Sequence, residues 1–122
     1  MRWSATGEGK KAVGVGVLDM ADIVALSDRI ARRFDPERIV LFGSYADGRA
    51  TSDSDVDLLV VMAHGGTAAR KAAEILTVVR PTFGVDVVVR TPSEVRERVE
   101  QEDFFLRDVL AKGRVLYEVP DP

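Results

Sequence analysis

Two short apolar runs on either side of a polar loop constrain this chain most strongly. The runs, Ile39 to Phe42 and Val56 to Met62, are rich in β-branched residues and bounded by Gly or Asp. Each is therefore predicted to be a strand buried on both faces. A chain of 122 residues can build one core but not two. We expect an α/β (α+β) fold, with a small mixed sheet of three to five strands flanked by helices.

The rest of the chain supplies the flanking elements. A third buried strand is predicted over Val85 to Val89, and a final edge strand over Val115 to Tyr117. Helices are predicted from apolar periodicity and from capping residues. They cover Asp19 to Phe34, a segment that follows Thr67 and stops at Pro81, a segment from Thr91 to about Gln101, and Phe104 to Ala111 with Phe105, Leu106, Val109 and Leu110 directed to the core.

The first strand runs into Gly43 and Ser44. Glycine lets the backbone turn sharply and approach a ligand closely. Tyr45 to Asp47 is long enough for one helical turn before Gly48 ends it. A strand that enters a helix start in this way presents free backbone N–H groups, to which Ser44 adds a hydroxyl donor. The sequence therefore predicts a phosphate-binding turn at Gly43 and Ser44.

Carboxylates mark the start of the second strand. Asp55 and Asp57 are separated by one residue, so the two-residue period of a strand places both side chains on one face. Two neighbouring carboxylates repel each other, but a divalent cation between them makes the arrangement favourable. Magnesium in proteins is commonly held by one or two carboxylates together with substrate phosphates. This pattern favours a Mg²⁺ site at Asp55 and Asp57.

A further carboxylate, Asp86, interrupts the valines of the third strand. An unpaired charge buried in such a strand would be costly. If this strand lies beside the second one, Asp86 can join the pair as a third carboxylate. The alternative is a residue that points to solvent or pairs with Arg90.

Gly43 and Ser44, ten intervening residues, and then Asp55 and Asp57 form a pattern that resembles the signature of the nucleotidyltransferase superfamily, which includes DNA polymerase β. The compact loop and short chain are similar to the minimal nucleotidyltransferases, small proteins often encoded beside HEPN-domain toxins. The resemblance extends from about Ala21 to Glu118, because the ending Gly113 to Glu118 also matches. It implies a polymerase β-like fold.

The resemblance implies that Asp55, Asp57 and Asp86 are the catalytic residues and hold two Mg²⁺ ions. It also implies that ATP or another nucleoside triphosphate is contacted by Gly43, Ser44, Arg49 and Ser54. It further implies transfer of AMP to a hydroxyl, expected to be a tyrosine, of a HEPN-type toxin, for which this chain acts as antitoxin. The chain departs from the family at Tyr45 and Asp47, where many relatives carry arginine; Arg49 is near enough to substitute.

Composition and hydropathy limit the partners and the cellular location that we expect for this chain. A net charge of −3 argues against tight binding to nucleic acid. The absence of cysteine suits a reducing cytoplasm. No apolar run reaches the roughly 20 residues that a membrane span needs. The glycine-rich residues 1–17 are predicted to be a flexible leader, or alternatively to contribute a short strand at Val13 to Val17, and residues 18–119 to be a single nucleotidyltransferase domain.

Two other functions remain compatible with the sequence. The domain could neutralise a partner by contact alone, as a non-catalytic antitoxin with a vestigial site. It could instead modify a small hydroxylated molecule such as an aminoglycoside, with a homo-oligomer or hetero-oligomer supplying the missing wall of the acceptor site. The three aspartates weigh against the first function, and the short chain weighs against the second.

Overall fold

The computed structural model describes residues 17–120, which form five helices and four strands. The helices are α1 (Met20–Phe34), α2 (Ser44–Asp47), α3 (Ala68–Val79), α4 (Pro92–Glu100) and α5 (Phe104–Lys112). The strands are β1 (Arg38–Phe42), β2 (Val56–Val61), β3 (Val85–Arg90) and β4 (Arg114–Glu118). The connection between β1 and β2 contains only the single turn of α2, so a compact loop joins these two strands.

The four strands form one mixed sheet in the order β3-β2-β1-β4. Strand β1 pairs antiparallel with both β2 and β4, whereas β2 and β3 are parallel. The parallel pair requires a crossover, which α3 provides. This mixed α/β architecture confirms the predicted fold class, and β4 is an edge strand as predicted. Strand β3 forms the other edge, so the prediction of a third buried strand is correct only for Val87 and Val89.

The buried residues form two cores, one on each face of the sheet, rather than the single core that the chain length suggested. The larger core, packed mainly against α1 and α3, contains Leu41, Leu58 and Val87 from alternate strand positions. The smaller core under α4 and α5 contains Val40, Leu59, Val61, Leu106 and Val109. The central strands are thus buried on both faces, as their uninterrupted apolar runs predict.

Side-chain caps fix two of the helix starts that the sequence predicts. The Thr67 hydroxyl accepts a hydrogen bond from the Arg70 N–H at 3.1 Å. Thr91 and Glu94 form a complete capping box, because each side chain accepts from the backbone N–H of the other residue. The helical segments are therefore confirmed to within one or two residues.

One core residue is predicted wrongly. Phe105 is 44% exposed, and its ring packs edge-on against Phe42 with 5.4 Å between the centroids. Helix α5 lies over β1 and its first turn extends past the core, so Phe105 covers only the end of the strand. Phe104 beside it is 84% exposed.

Two other expectations concern the chain as a whole. The predicted leader and the alternative strand at Val13 to Val17 lie almost wholly outside the described residues, and the division into 1–17 and 18–119 stays a prediction. Among residues 17–120, no helix is long and apolar enough to cross a membrane.

Candidate active site

The strand register brings the three aspartates of the sequence prediction to one end of the sheet. Asp57 lies directly opposite Asp86 in the parallel ladder and opposite Phe42 in the antiparallel one. Residues that face each other across neighbouring strands have side chains on the same face. Asp55 precedes Asp57 by two residues and shares that face. The predicted proximity of Asp86 to the pair is therefore correct.

Two glycines leave the room that two of these carboxylates occupy. A Cβ added at Gly43 would overlap the Asp57 carboxylate, and one added at Gly84 would overlap the Asp55 carboxylate. Gly43 also has φ 77° and ψ −155°, a conformation that is essentially restricted to glycine. The carbonyl of Gly84 accepts the Val56 N–H at 2.9 Å, which fixes its backbone beside the start of β2. Asp57 and Asp55 therefore each lie against the backbone of a glycine, where no side chain competes for the space.

The carboxylates are close enough to affect one another's ionisation. The pKa of Asp57 is raised by its partial burial and then by the negative charges of Asp86 and Asp55. Asp55 and Asp86 are themselves exposed, whereas Asp57 is half-buried between them. The cluster therefore combines a partly desolvated central acid with two acids that solvent can reach.

This donor set suits a hard divalent cation, which prefers carboxylate oxygens. Within residues 17–120, no group of three or more His, Cys, Asp or Glu side chains converges closely enough to hold a metal ion as the side chains stand. Asp55 and Asp86 are exposed, and all three aspartates supply the carboxylate oxygens that such a cation prefers. Their role in holding Mg²⁺ stays a prediction.

The turn after β1 is built as the sequence predicts. The N–H groups of Ala46 and Asp47 donate to the Gly43 carbonyl at 3.0 and 3.1 Å, which closes the single turn of α2. The N–H groups of Ser44 and Tyr45 precede the first helical hydrogen bond. Ser44 is half-buried next to the acid cluster.

Ser54 has a different environment. Its hydroxyl accepts the Thr51 N–H at 2.9 Å, and its own N–H donates to the Thr51 carbonyl at 3.0 Å. These bonds close the loop that returns the chain to Asp55. The contacts of Ser54 are thus within the loop, and its predicted contact with nucleotide stays a prediction.

The two positions that depart from the arginine pattern have separate roles. Tyr45 is buried in the larger core, and its hydroxyl accepts the Leu18 N–H at 3.2 Å. Asp47 is exposed and forms an ion pair with Arg49 at 2.6 Å. Arg49 is therefore near the turn, as expected, but a carboxylate already balances its charge.

Comparison with known proteins agrees with this architecture. Residues 23–117 match the family model of the nucleotidyltransferase domain. The chain belongs to the nucleotidyltransferase family. The match includes all three strands and the loop that carry the acids and glycines described above.

Three individual proteins are similar to this nucleotidyltransferase in sequence or in structure. A protein of Methanocaldococcus jannaschii, named as a candidate protein adenylyltransferase, is 36% identical over 81 residues, which are 66% of this chain and 78% of that protein. A candidate nucleotidyltransferase of Sulfolobus solfataricus has a similar structure, with a TM-score of 0.56 at 19% identity over 81% of this chain and 79% of that one. A toxin-antitoxin structure with AMP-PNP gives a TM-score of 0.53 at 22% identity, over 79% and 73% of the two chains. The two structures support the shared fold.

Sequence reasoning did not identify Gly84 as part of this site. Its importance comes from the parallel pairing of β2 and β3, which sets its Cα against the Asp55 side chain. A glycine beside a predicted acidic strand could have been flagged only once that pairing was known.

Proposed function

We propose that this nucleotidyltransferase transfers AMP from ATP to a hydroxyl group of a partner protein and so acts as an antitoxin. The observation that carries the proposal is the register that sets Asp57 opposite Asp86, with Asp55 on the same face. Nothing in the packing of the fold requires three neighbouring carboxylates, and partial burial together with repulsion from Asp86 and Asp55 raises the pKa of Asp57. A site with an unfavourable charge cluster is best explained by the chemistry that it performs.

Each residue of the site has a role in this proposal. Asp55 and Asp57 would hold Mg²⁺ between themselves and the phosphates of ATP, and Asp86 would complete the ligand set of a second ion. Bound in this way, the ions would neutralise charge on the attacking and leaving oxygens. The backbone N–H groups and hydroxyl at Gly43 and Ser44 would orient the β- and γ-phosphates.

The reaction then needs little covalent help from the protein. The acceptor oxygen attacks the α-phosphorus and forms a new P–O bond. The bond between the α-phosphorus and the oxygen that bridges it to the β-phosphorus breaks, and pyrophosphate leaves. Asp86, the acid farthest from Gly43 across the sheet, takes the proton of the acceptor hydroxyl. Positioning and charge neutralisation account for the remaining rate enhancement.

The acceptor belongs to a second macromolecule. Asp55 and Asp86 are exposed, so an incoming side chain can reach the cluster. We infer that this side chain is a tyrosine of a HEPN-type toxin, in keeping with the resemblance of the chain to minimal nucleotidyltransferases. The name of the archaeal relative and the toxin-antitoxin structure with AMP-PNP support a protein acceptor and an adenine nucleotide. The reducing, ATP-rich cytoplasm is the expected compartment.

Isotope placement provides a direct test. The purified protein would be incubated with Mg²⁺, the product of the neighbouring gene as the proposed HEPN-type partner, and ATP labelled at either the α- or the γ-phosphate. Transfer of AMP predicts that the partner acquires α-label but no γ-label. Replacing Asp55 or Asp57 with Asn should abolish labelling, whereas Asp53→Asn, a change in the neighbouring exposed loop, should not.

Other outcomes would identify other functions. Transfer of the γ-label would indicate a kinase and contradict the proposal. If the two proteins associate and the toxin is silenced without any labelling, the chain is a non-catalytic antitoxin. If label moves only to a small hydroxylated compound such as an aminoglycoside, the proposal of a protein acceptor is wrong.

A further inference from the structure

Two aromatic side chains at the start of α5 are left open to solvent. Phe104 is 84% exposed, and Phe105, the next residue, is 44% exposed. Among residues 17–120, no other large apolar side chain is as exposed as Phe104. A single exposed apolar residue is ordinary, but adjacent exposed aromatic rings are typical of surfaces that bind another molecule. This pair therefore marks a candidate interaction surface.

The turn before α5 holds both rings in fixed positions. The Asp103 N–H donates to the Arg98 carbonyl at 2.8 Å. The Glu102 N–H donates to the Val99 carbonyl at 3.1 Å, and the two bonds together make a Schellman motif at the end of α4. Glu102 has φ 62° in this motif, where glycine is the usual residue because a side chain disfavours the left-handed conformation. The Asp103 carboxylate then caps α5 by accepting from the Leu106 N–H at 3.0 Å. The rings are thus presented by a hydrogen-bonded turn that retains a strained residue.

The rings lie beside the acid cluster, on the same face of the sheet. The Phe105 ring packs against Phe42 with 5.4 Å between the centroids, and Phe42 lies opposite Asp57 in the antiparallel ladder. Residues opposite each other on neighbouring strands have side chains on one face. Neighbouring strands are about 4.8 Å apart, so Asp86, which is two strands from Phe42, is roughly 10 Å away from it. Phe105 therefore forms part of the rim around the acids.

A protein that delivers an acceptor side chain to these acids has to cover this rim. A protein–protein interface of ordinary size buries about 800 Å² on each partner, which corresponds to a patch of roughly 16 Å radius. A patch of that size centred on the acids includes Phe105 and Phe104 beside it. We propose that Phe104 and Phe105 are the anchor on which the acceptor protein docks, and that both rings enter an apolar pocket of that protein. The inference rests on the proposed function and adds the surface that selects the acceptor.

The arrangement of the rings favours a protein over the nucleotide as the occupant. Consecutive residues of a helix point about 100° apart, so one planar base can stack on one ring only. A base stacked on Phe105 would leave Phe104 exposed, whereas a pocket in a folded protein can enclose both rings. Aromatic side chains are enriched in the buried centre of protein interfaces, and a few such anchors carry most of the binding energy.

Binding measurements on single variants test this surface. Association with the product of the neighbouring gene, the proposed acceptor, would be measured by calorimetry in the absence of nucleotide. Phe104→Ala should weaken association about tenfold, the effect expected from the loss of one buried anchor. Phe105→Ala should weaken it as well, and Phe104→Trp, which keeps an aromatic ring, should bind almost as tightly as wild type. Thermal unfolding would verify that each variant is folded.

An exposed apolar residue elsewhere on the chain supplies the control. Val24 is 37% exposed, but it belongs to α1, which packs on the opposite face of the sheet. Val24→Ala should therefore bind the acceptor as tightly as wild type. Equal weakening by Val24→Ala, or unchanged association in both phenylalanine variants, would overturn the proposal. A loss of ATP affinity without a loss of acceptor affinity would also overturn it, because the rings would then contact the nucleotide.

The outcome is distinguishable from that of the proposed function. If wild type labels the acceptor and the phenylalanine variants associate normally, the docking surface is wrong and the transfer reaction stands. If wild type associates with the acceptor without labelling it, and Phe104→Ala weakens that association, the docking surface stands and the transfer reaction is wrong. If wild type neither associates with the acceptor nor labels it, both proposals fail.

Discussion

Replacing Gly84 with alanine should disable the site while leaving the fold intact. The new methyl group would overlap one oxygen of the Asp55 carboxylate and lie 3.0 Å from its Cγ. Ordinary contacts between carbon atoms are about 3.5–4.0 Å, so the carboxylate has to move by roughly 1 Å. A misplacement of about 1 Å at a catalytic centre can reduce the rate about 100-fold. We therefore expect kcat for labelling of the partner to fall by about two orders of magnitude.

Stability should respond differently. The φ of Gly84 lies outside the left-handed range and Asp55 is an exposed side chain that can rotate, so alanine meets no fixed obstacle. Substitution of glycine in a compatible conformation stabilises a protein by about 0.4–1 kcal/mol through the unfolded state. The Tm should therefore stay the same or rise by a few degrees.

Two measurements test this separation of effects. The first is the Mg²⁺ titration of activity, in which Gly84→Ala should need more Mg²⁺ because Asp55 is displaced. The second is thermal unfolding of the same variant beside Gly65→Ala, a glycine with open space around it and φ outside the left-handed range. Gly65→Ala should retain wild-type activity. Full activity in Gly84→Ala, or loss of activity that accompanies a fall in Tm, would refute the reasoning.

Three further predictions address the site and its supports. Gly43→Ala should lower the free energy of unfolding by about 1–3 kcal/mol and abolish labelling, because φ 77° with ψ −155° strains an alanine and the methyl group displaces the Asp57 carboxylate. The control Gly66→Ala, at φ 72° in open space, should lower stability but leave labelling unchanged, which unfolding and labelling assays can verify. Asp57→Asn should raise the free energy of unfolding in metal-free buffer by up to about 1 kcal/mol, and so raise the Tm, since it removes a partly buried negative charge beside two other acids; a lower Tm would contradict this. Glu94→Ala should lower the Tm at neutral pH, and the difference in Tm from wild type should shrink as the pH falls below about 4.5. The reason is that the hydrogen bond from the Thr91 N–H lowers the pKa of Glu94, so its stabilisation is lost once the carboxyl is protonated. A Tm difference independent of pH would contradict this prediction.

Local patterns predicted much of this fold because the information lies within a few residues. The uninterrupted apolar runs identified β1 and β2, and Thr91 with Glu94 identified the start of α4. Asp86 was expected beside the pair if β3 lay next to β2, and the register confirms that placement, although the exposed carboxylate does not carry the burial cost from which the expectation began. These signals depend on strand and helix periods, which the sequence displays directly.

Features that depend on packing between distant segments were not predictable in the same way. Phe105 has the spacing of a core residue, but α5 extends past the core and leaves the ring partly exposed over Phe42. Lys112 and Asp108 have the spacing of an ordinary surface ion pair. Only the packing of α5 on β1 brings them beside Gly43. The contributions of Gly84 and α5 to the site therefore became visible with the tertiary structure.

The intact mass of the partner protein tests the central claim most directly. The proposed HEPN-type partner would be produced together with wild type, with Asp57→Asn or with the loop control Asp53→Asn, and weighed by mass spectrometry. We predict a gain equal to one or more AMP groups, located on tyrosine, with wild type and Asp53→Asn but not with Asp57→Asn. An unmodified partner in all three preparations, with the toxin nevertheless silenced, would contradict a catalytic role for the three aspartates.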